Sequence, residues 1–246
     1  ILLYILLYIL LKSYIQILTS KITTEEPKLT NAKIAVITGA SRGLGAAMSE
    51  ALAFNGFHTI LVARTVGSLE QLYDNIIKNE GTASILPLDI TDETAIKQSC
   101  LSIYKRWKKI DYWIHTAILA PALSPVDHID PVELRKSLEV NIISTSMLIT
   151  NLGPLLKNSS KSKAIFFDDP TVSKKYHTPY CIGKLAQLGL VRKWQDENSD
   201  KGLDIIIETP APMATATRAK FYPGEDKKAL STTRQQASEI VSRIIK

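Results

Sequence analysis

Cysteine is almost absent. Only Cys100 and Cys181 occur, too few for a disulfide framework and without the close spacing of a zinc module, so both architectures are excluded and a reducing, cytoplasmic setting is the default expectation. Histidine is equally scarce. The four residues show no i,i+4 pair and no Cys/His cluster, so no metal is expected. His58, His128 and His177 read as structural or surface residues, and His115 receives no catalytic role. The formal charge of +6 lacks a stripe: Lys33, Lys78, Lys97, Lys157, Lys184 and Lys227 are scattered rather than interleaved with aromatics on one face. No nucleic-acid partner is expected.

Long hydrophobic runs are also missing. The longest, Ile1 to Leu11, would span about 16 Å as a helix, against a hydrocarbon core of ~30 Å, before Lys12, Ser13 and Gln16 break it. No basic leader or small-residue cleavage site marks a secretory signal. Residues 1–20 therefore read as an apolar tail, either a marginal membrane contact or an extraneous low-complexity segment. Residues 21–31, with Pro27, read as a linker.

What the chain does contain suits one large α/β domain over residues 32–246, since 45% of the 246 residues are hydrophobic. Short β-rich runs at 33–38, 58–63, 83–88, 111–117, 163–168 and 203–209 alternate with helical patterns at 44–55, 67–79, 92–108, 131–156, 178–198 and 231–245. That alternation predicts a doubly wound parallel sheet, a Rossmann fold, with a ligand crevice where strands one and four diverge.

Thr38-Gly39-Ala40-Ser41-Arg42-Gly43-Leu44-Gly45 joins the first strand to the first helix. Its glycines permit a tight turn and close backbone approach, and the helix start aims N–H groups at an anion, so the stretch reads as a diphosphate cradle. The spacing G-x-x-x-G-x-G differs from both the general dinucleotide and the P-loop fingerprints. At the end of strand two, where an acid would take the ribose hydroxyls, stand Ala63 and Arg64. With Arg42, two guanidiniums converge where a 2′-phosphate would lie, which argues for NADP(H) over NAD(H). Asp89, ending strand three, is placed to reach an adenine amino group, while Thr91 or Asp92 caps the next helix. Tyr180 and Lys184 share a helix face at i,i+4, and an ammonium beside a phenol favours the tyrosinate and lowers its pKa.

Together, the glycine turn, Asp89, Asn141 and Tyr180-Cys181-Ile182-Gly183-Lys184 resemble the short-chain dehydrogenase/reductase family over residues 32–246. The resemblance implies an NADP(H)-dependent oxidoreductase that interconverts a small-molecule carbonyl and alcohol. It implies that Tyr180 exchanges the proton, that Lys184 holds the nicotinamide ribose and depresses the tyrosine pKa, and that Asn141 helps order a relay water. Ile90, Ala117, Pro210 and Thr215, with Tyr180 and Lys184 themselves, join Thr38, Gly39, Ser41, Arg42, Gly43, Leu44, Gly45, Arg64 and Asp89 as implied cofactor contacts. Apart from the resemblance, residues 213–226, short helical and rich in small residues, read either as a substrate lid, with Phe221 and Tyr222 lining an apolar pocket, or as an ordinary strand-to-helix connection.

The sequence departs from the family pattern in several places. The N-N-A-G turn after strand four becomes His115-Thr116-Ala117-Ile118, with a branched side chain where glycine is usual. The catalytic serine at the end of strand five has no counterpart; Asp168 or Asp169 stands there, and an ionised carboxylate can only accept a hydrogen bond. Proline-glycine becomes Pro210-Ala211. A catalytically degenerate NADP-binding protein is therefore the alternative. The family's last strand is expected to be missing, leaving strand six at an edge, and the resemblance implies a homodimer or homotetramer through residues 139–156 and 178–198.

Overall fold

Strand β1 (Lys33–Thr38) is buried on both faces from Ile34 onward, which is why its sequence is apolar without a break rather than alternating. It occupies the middle of a six-stranded parallel sheet in the computed structural model, which describes residues 32–199 and 202–246. The expectations for residues 1–20 and 21–31 lie outside the described residues.

The partners of β1 are β2 (Phe57–Ala63) and β4 (Tyr112–His115). Beyond them lie β3 (Thr82–Pro87) on one side, and β5 (Ser162–Phe167) and then β6 (Leu203–Glu208) on the other, in the order β3-β2-β1-β4-β5-β6. The chain winds outward from β1 in one direction and then, after β3, crosses back to β4. The carboxyl ends of β1 and β4 therefore part and open a crevice, as the alternating pattern predicted.

Helices cover both faces. Alternate residues of β1 divide between two cores: Ala35 and Ile37 pack with α1 (Gly43–Phe54), α2 (Val66–Lys78) and α8 (Thr233–Ile244). Ile34 and Val36 pack with α3 (Glu93–Trp107), α5 (Ser144–Lys157) and α6 (Thr178–Asn198). The helix expected over 131–156 is not continuous. It comprises α4 (Pro131–Leu138), a π-helical turn (Glu139–Ile143) and α5. The widened turn is a tertiary effect: Asn141 points inward and is hydrogen-bonded across to Leu119. Residues 216–221 add a short helix, α7 (Ala216–Phe221), within the predicted lid. Among the described residues no helix is long and apolar enough to cross a membrane.

Asp111 ties the amino ends of the central strands together. Its carboxylate accepts from the Ile34 N–H at 2.8 Å, Lys109 Nζ at 2.8 Å and Ser159 Oγ at 2.5 Å. Burial alone would raise its pKa, but these three donors and the lysine charge outweigh burial and hold it below the usual carboxylate range. A depressed folded-state value stabilises the protein above the unfolded pKa and ceases to do so as pH falls through the folded one. Asp111→Asn is therefore expected to lose about 2 kcal/mol at pH 7, a difference that should begin to shrink below about pH 4 and close only as pH falls through the depressed folded-state value. Urea unfolding at a series of pH values checks both halves.

Candidate active site

The turn that leaves β1 is clamped by its neighbours. Gly39 and Ala40 N–H both donate to the Val62 carbonyl, at 2.9 and 3.1 Å, while Thr116 N–H and Oγ1 donate to the Thr38 carbonyl at 2.8 and 2.9 Å. The fit leaves no room for a side chain at two of the glycines. A Cβ on Gly39 would sit 2.6 Å from Ala117 N, and one on Gly45 would sit 2.3 Å from the Gly39 carbonyl oxygen. Helix α1 then begins with no side-chain cap and no acid in its first turn. Gly43, Leu44 and Gly45 border the crevice, so the first-turn N–H groups and the positive helix end suit an anion there.

The crevice has a volume of about 930 Å³. Ser41, Arg42, Arg64, Asp89 and Ile90 line it on the β2 and β3 side. Arg64 Nη1 lies 4.0 Å from Asp89 Oδ2, with both side chains largely exposed. Asp89 also accepts from Thr91 N–H at 3.0 Å and Thr91 Oγ1 at 2.8 Å. Against a raising effect of burial, those bonds and the Arg64 charge hold its carboxyl below the usual range. Of the two proposed caps for α3, Asp92 is the one used, accepting from Ala95 N–H at 2.9 Å.

Ala117, Ile118, Tyr180, Lys184, Pro210 and Thr215 also line the crevice. Gly183 lets α6 approach the π-turn, since a Cβ there would meet Asn141 Nδ2 at 2.8 Å. Tyr180 Oη donates to Asp169 Oδ2 at 3.0 Å, and Asp169 Oδ1 accepts from Thr171 N–H and Oγ1. Of the two aspartates at the end of β5, Asp169 is the one that accepts from the tyrosine. Burial first, and then the Asp169 charge and hydrogen bond, push the Tyr180 phenol well above its ordinary value. That corrects the expected lowering by Lys184. The Lys184 ammonium turns instead to the Phe167 carbonyl at 2.7 Å and Gln187 Oε1 at 3.0 Å. Its own pKa falls to about 8 through burial, which outweighs the attraction of Asp169 and Asp168.

Two implied site residues stand behind the crevice rather than in it. Thr38 is buried, with Oγ1 2.7 Å from His115 Nδ1 and accepting from Trp113 Nε1 at 3.1 Å. Asn141 is fully buried; its Oδ1 accepts from Leu119 N–H at 2.8 Å, and its Nδ2 donates to Leu119 O at 2.8 Å and Ser137 Oγ at 3.0 Å. Through these three bonds the Asn141 amide shapes the segment after β4. Sequence reasoning missed Gln187, Thr145 and the part played by His115. The available signal was a glutamine three residues beyond Lys184, on the same α6 face as Leu188 and Val191, where an apolar residue would suit the core.

Residues 213–218, 221 and 222 of the predicted lid line the crevice. Thr215 caps α7 by accepting from Arg218 N–H at 3.2 Å. Arg218 is paired to Glu225 through two bonds of 2.6 Å, and Lys220 Nζ reaches the Ala120 carbonyl at 2.6 Å. Phe221 packs 5.2 Å from the Tyr180 ring. Among the described residues no group of three His, Cys, Asp or Glu is placed to hold a metal.

The chain is similar to known proteins to differing extents. A fatty acyl-CoA reductase of Acinetobacter baylyi is 33% identical over 123 residues, or 50% of this chain and 42% of that one, so this chain spans less than half of its length. The oxidoreductase YciK of Escherichia coli K12 is 29% identical over 217 residues, 84% of each chain. The structure of a short chain dehydrogenase from E. coli CFT073 complexed with NADPH superposes with a TM-score of 0.79 at 26% identity, covering 85% of this chain and 90% of that one. The family model described as short chain dehydrogenase matches residues 33–226. With the parallel sheet, the glycine turn and the Tyr180–Lys184 pair on one crevice, this chain belongs to the short chain dehydrogenase family of oxidoreductases.

Proposed function

We propose that residues 32–246 form an NADP(H)-dependent oxidoreductase domain that interconverts a carbonyl and an alcohol on a small molecule. The observation that carries this reading is that Tyr180 and Lys184 border the same crevice as the uncapped start of α1. The chain's residues fit a dinucleotide. The first-turn N–H groups of α1 would hold its diphosphate, Arg42 and Arg64 a 2′-phosphate, Asp89 the adenine, and Lys184 the nicotinamide ribose. When bound, the nicotinamide supplies or accepts the hydride. Ile90, Ala117, Pro210 and Thr215 would line its path.

Tyr180 moves the proton. In alcohol oxidation the substrate hydroxyl proton passes to Tyr180 Oη while the tyrosine's own proton crosses 3.0 Å to Asp169 Oδ2; in carbonyl reduction both steps reverse. The Lys184 ammonium offsets negative charge that develops on this pair. Phe221 and the lid segment exclude water from the reacting atoms.

A second reading, a cofactor-binding protein without turnover, is favoured by one observation. The Asp169 carboxylate raises the Tyr180 pKa where a hydroxyl donor would be useful to a substrate oxygen. Calorimetric titration of the full chain with NADPH and NADH, followed by an NADPH oxidation assay against aldehydes and ketones, tests the two readings. The first predicts NADPH binding tighter than NADH and saturable turnover. Failure to bind either nucleotide would defeat both. Arg64→Ala is expected to weaken NADPH about tenfold, as befits one exposed charge-assisted phosphate contact, and to leave NADH unchanged.

A further inference from the structure

Lys184 is buried, and an ammonium has three hydrogens to place and no capacity to accept. Two go to the Phe167 carbonyl and Gln187 Oε1. Because Nζ can only donate while charged, the Gln187 amide has one workable orientation, with Oε1 toward the lysine and Nε2 donating to Thr145 Oγ1 at 3.1 Å. Thr145 gives its own hydrogen to the Asn141 carbonyl at 2.8 Å. It must therefore accept from His115 Nε2, 3.1 Å away. That places the imidazole proton on Nε2 and leaves Nδ1 to accept from Thr38 Oγ1 at 2.7 Å, a hydroxyl that also accepts from the Trp113 indole N–H and has the Ile114 carbonyl as a longer acceptor at 3.3 Å.

Every group in this chain is buried, and at its Lys184–Gln187–Thr145 end the charged ammonium sets the direction. His115 cannot reverse it by charging, because burial and the nearby Lys184 charge lower its pKa to about 3. The chain is therefore an anchor rather than a proton wire. We infer that Gln187, oriented by Thr145 and His115, is the positioning residue that holds the Lys184 ammonium against β5 and keeps it charged. Without it, Lys184 would retain one neutral acceptor in a buried site and the pull of Asp168 and Asp169 across the crevice. Tyr180, neutral and hydrogen-bonded to Asp169, is the remaining titratable group facing it; from the sheet side it is His115.

The value of this anchor to catalysis rests on the oxidoreductase reading, but the anchor itself is measurable without cofactor. The full chain is labelled with 13Cε-lysine, and the Lys184 resonance, assigned by its disappearance in Lys184→Arg, is followed against pH. Gln187→Leu, which removes the acceptor, should lower the Lys184 midpoint by about one pH unit, a tenfold loss of proton affinity. Gln187→Glu keeps the shape and adds an opposite charge, so it should raise the midpoint by at least as much. A folded Gln187→Leu protein whose midpoint lies within about 0.2 unit of the parent would overturn the inference, even if its Tm had dropped. If the leucine variant does not fold, the isosteric glutamate variant decides: an unmoved or lowered midpoint overturns the inference. NADPH oxidation is measured in parallel on the parent. Shifted midpoints without turnover would retain the anchor and remove the oxidoreductase reading, whereas turnover with unshifted midpoints would do the reverse.

Discussion

Replacing Tyr180 by phenylalanine is expected to reduce NADPH-linked turnover by ~10²–10⁴-fold, the range for loss of a positioned proton donor, while NADPH affinity stays unchanged. The ring is buried and packs 5.2 Å from Phe221, so phenylalanine preserves the packing and removes only Oη and its 3.0 Å bond to Asp169. A fall in kcat/KM carried by kcat, with cofactor binding intact by calorimetry, is the expected pattern. Parent protein that binds NADPH but turns over no carbonyl would establish the non-catalytic reading instead. In that case Asp169→Ser provides the second arm of the same assay. It removes the charge that raises the phenol's pKa and supplies a hydroxyl donor, so activity gained there would locate the defect at Asp169.

The largest expected loss of stability belongs to Trp113→Ala, at about 3–5 kcal/mol. Trp113 is fully buried in β4, with ring centroids 5.1 Å from Phe166, 5.4 Å from His115 and 6.1 Å from Trp194. Truncation would open a cavity between β4, β5 and α6, and Thr38 Oγ1 would lose the indole N–H it accepts from. Domains of this kind hold a total of only about 5–15 kcal/mol, so the variant should unfold at much lower urea with an unchanged m-value. A loss below about 1 kcal/mol would mean that the surrounding rings collapse to fill the space. Because Trp113 also ends the chain of hydrogen bonds through Thr38 and His115, Lys184 should titrate differently in this variant, a coupling that a purely apolar core residue would lack.

The periodic parts of the fold were legible from local chemistry. Each predicted strand lies within two residues of an observed one at its start, because runs such as Ile34 to Ile37 are apolar on both faces and bounded by turn formers. The glycine turn was equally legible, since close approach of Ala117 and of the turn's own carbonyl demands the absence of Cβ at Gly39 and Gly45. The break within residues 131–156 was not. An apolar helical pattern continues through it, and the π-turn coincides with the pairing of Asn141 with Leu119, 22 residues earlier in the chain.

The site divides in the same way. Residue type and spacing were enough to select Arg42, Arg64, Asp89, Tyr180 and Lys184, which line one crevice because the sheet reverses its winding direction beside β1. Which of those groups touch one another was settled only by tertiary structure. The i,i+4 spacing of Tyr180 and Lys184 suggested a mutual pair, yet each hydrogen-bonds other groups: Asp169 for the phenol, the Phe167 carbonyl of β5 and Gln187 one turn along α6 for the ammonium. A helix face determines which side chains point the same way. The direction of a pKa shift depends on burial and on charges brought in from other strands, and these exist only once the sheet and helices have packed.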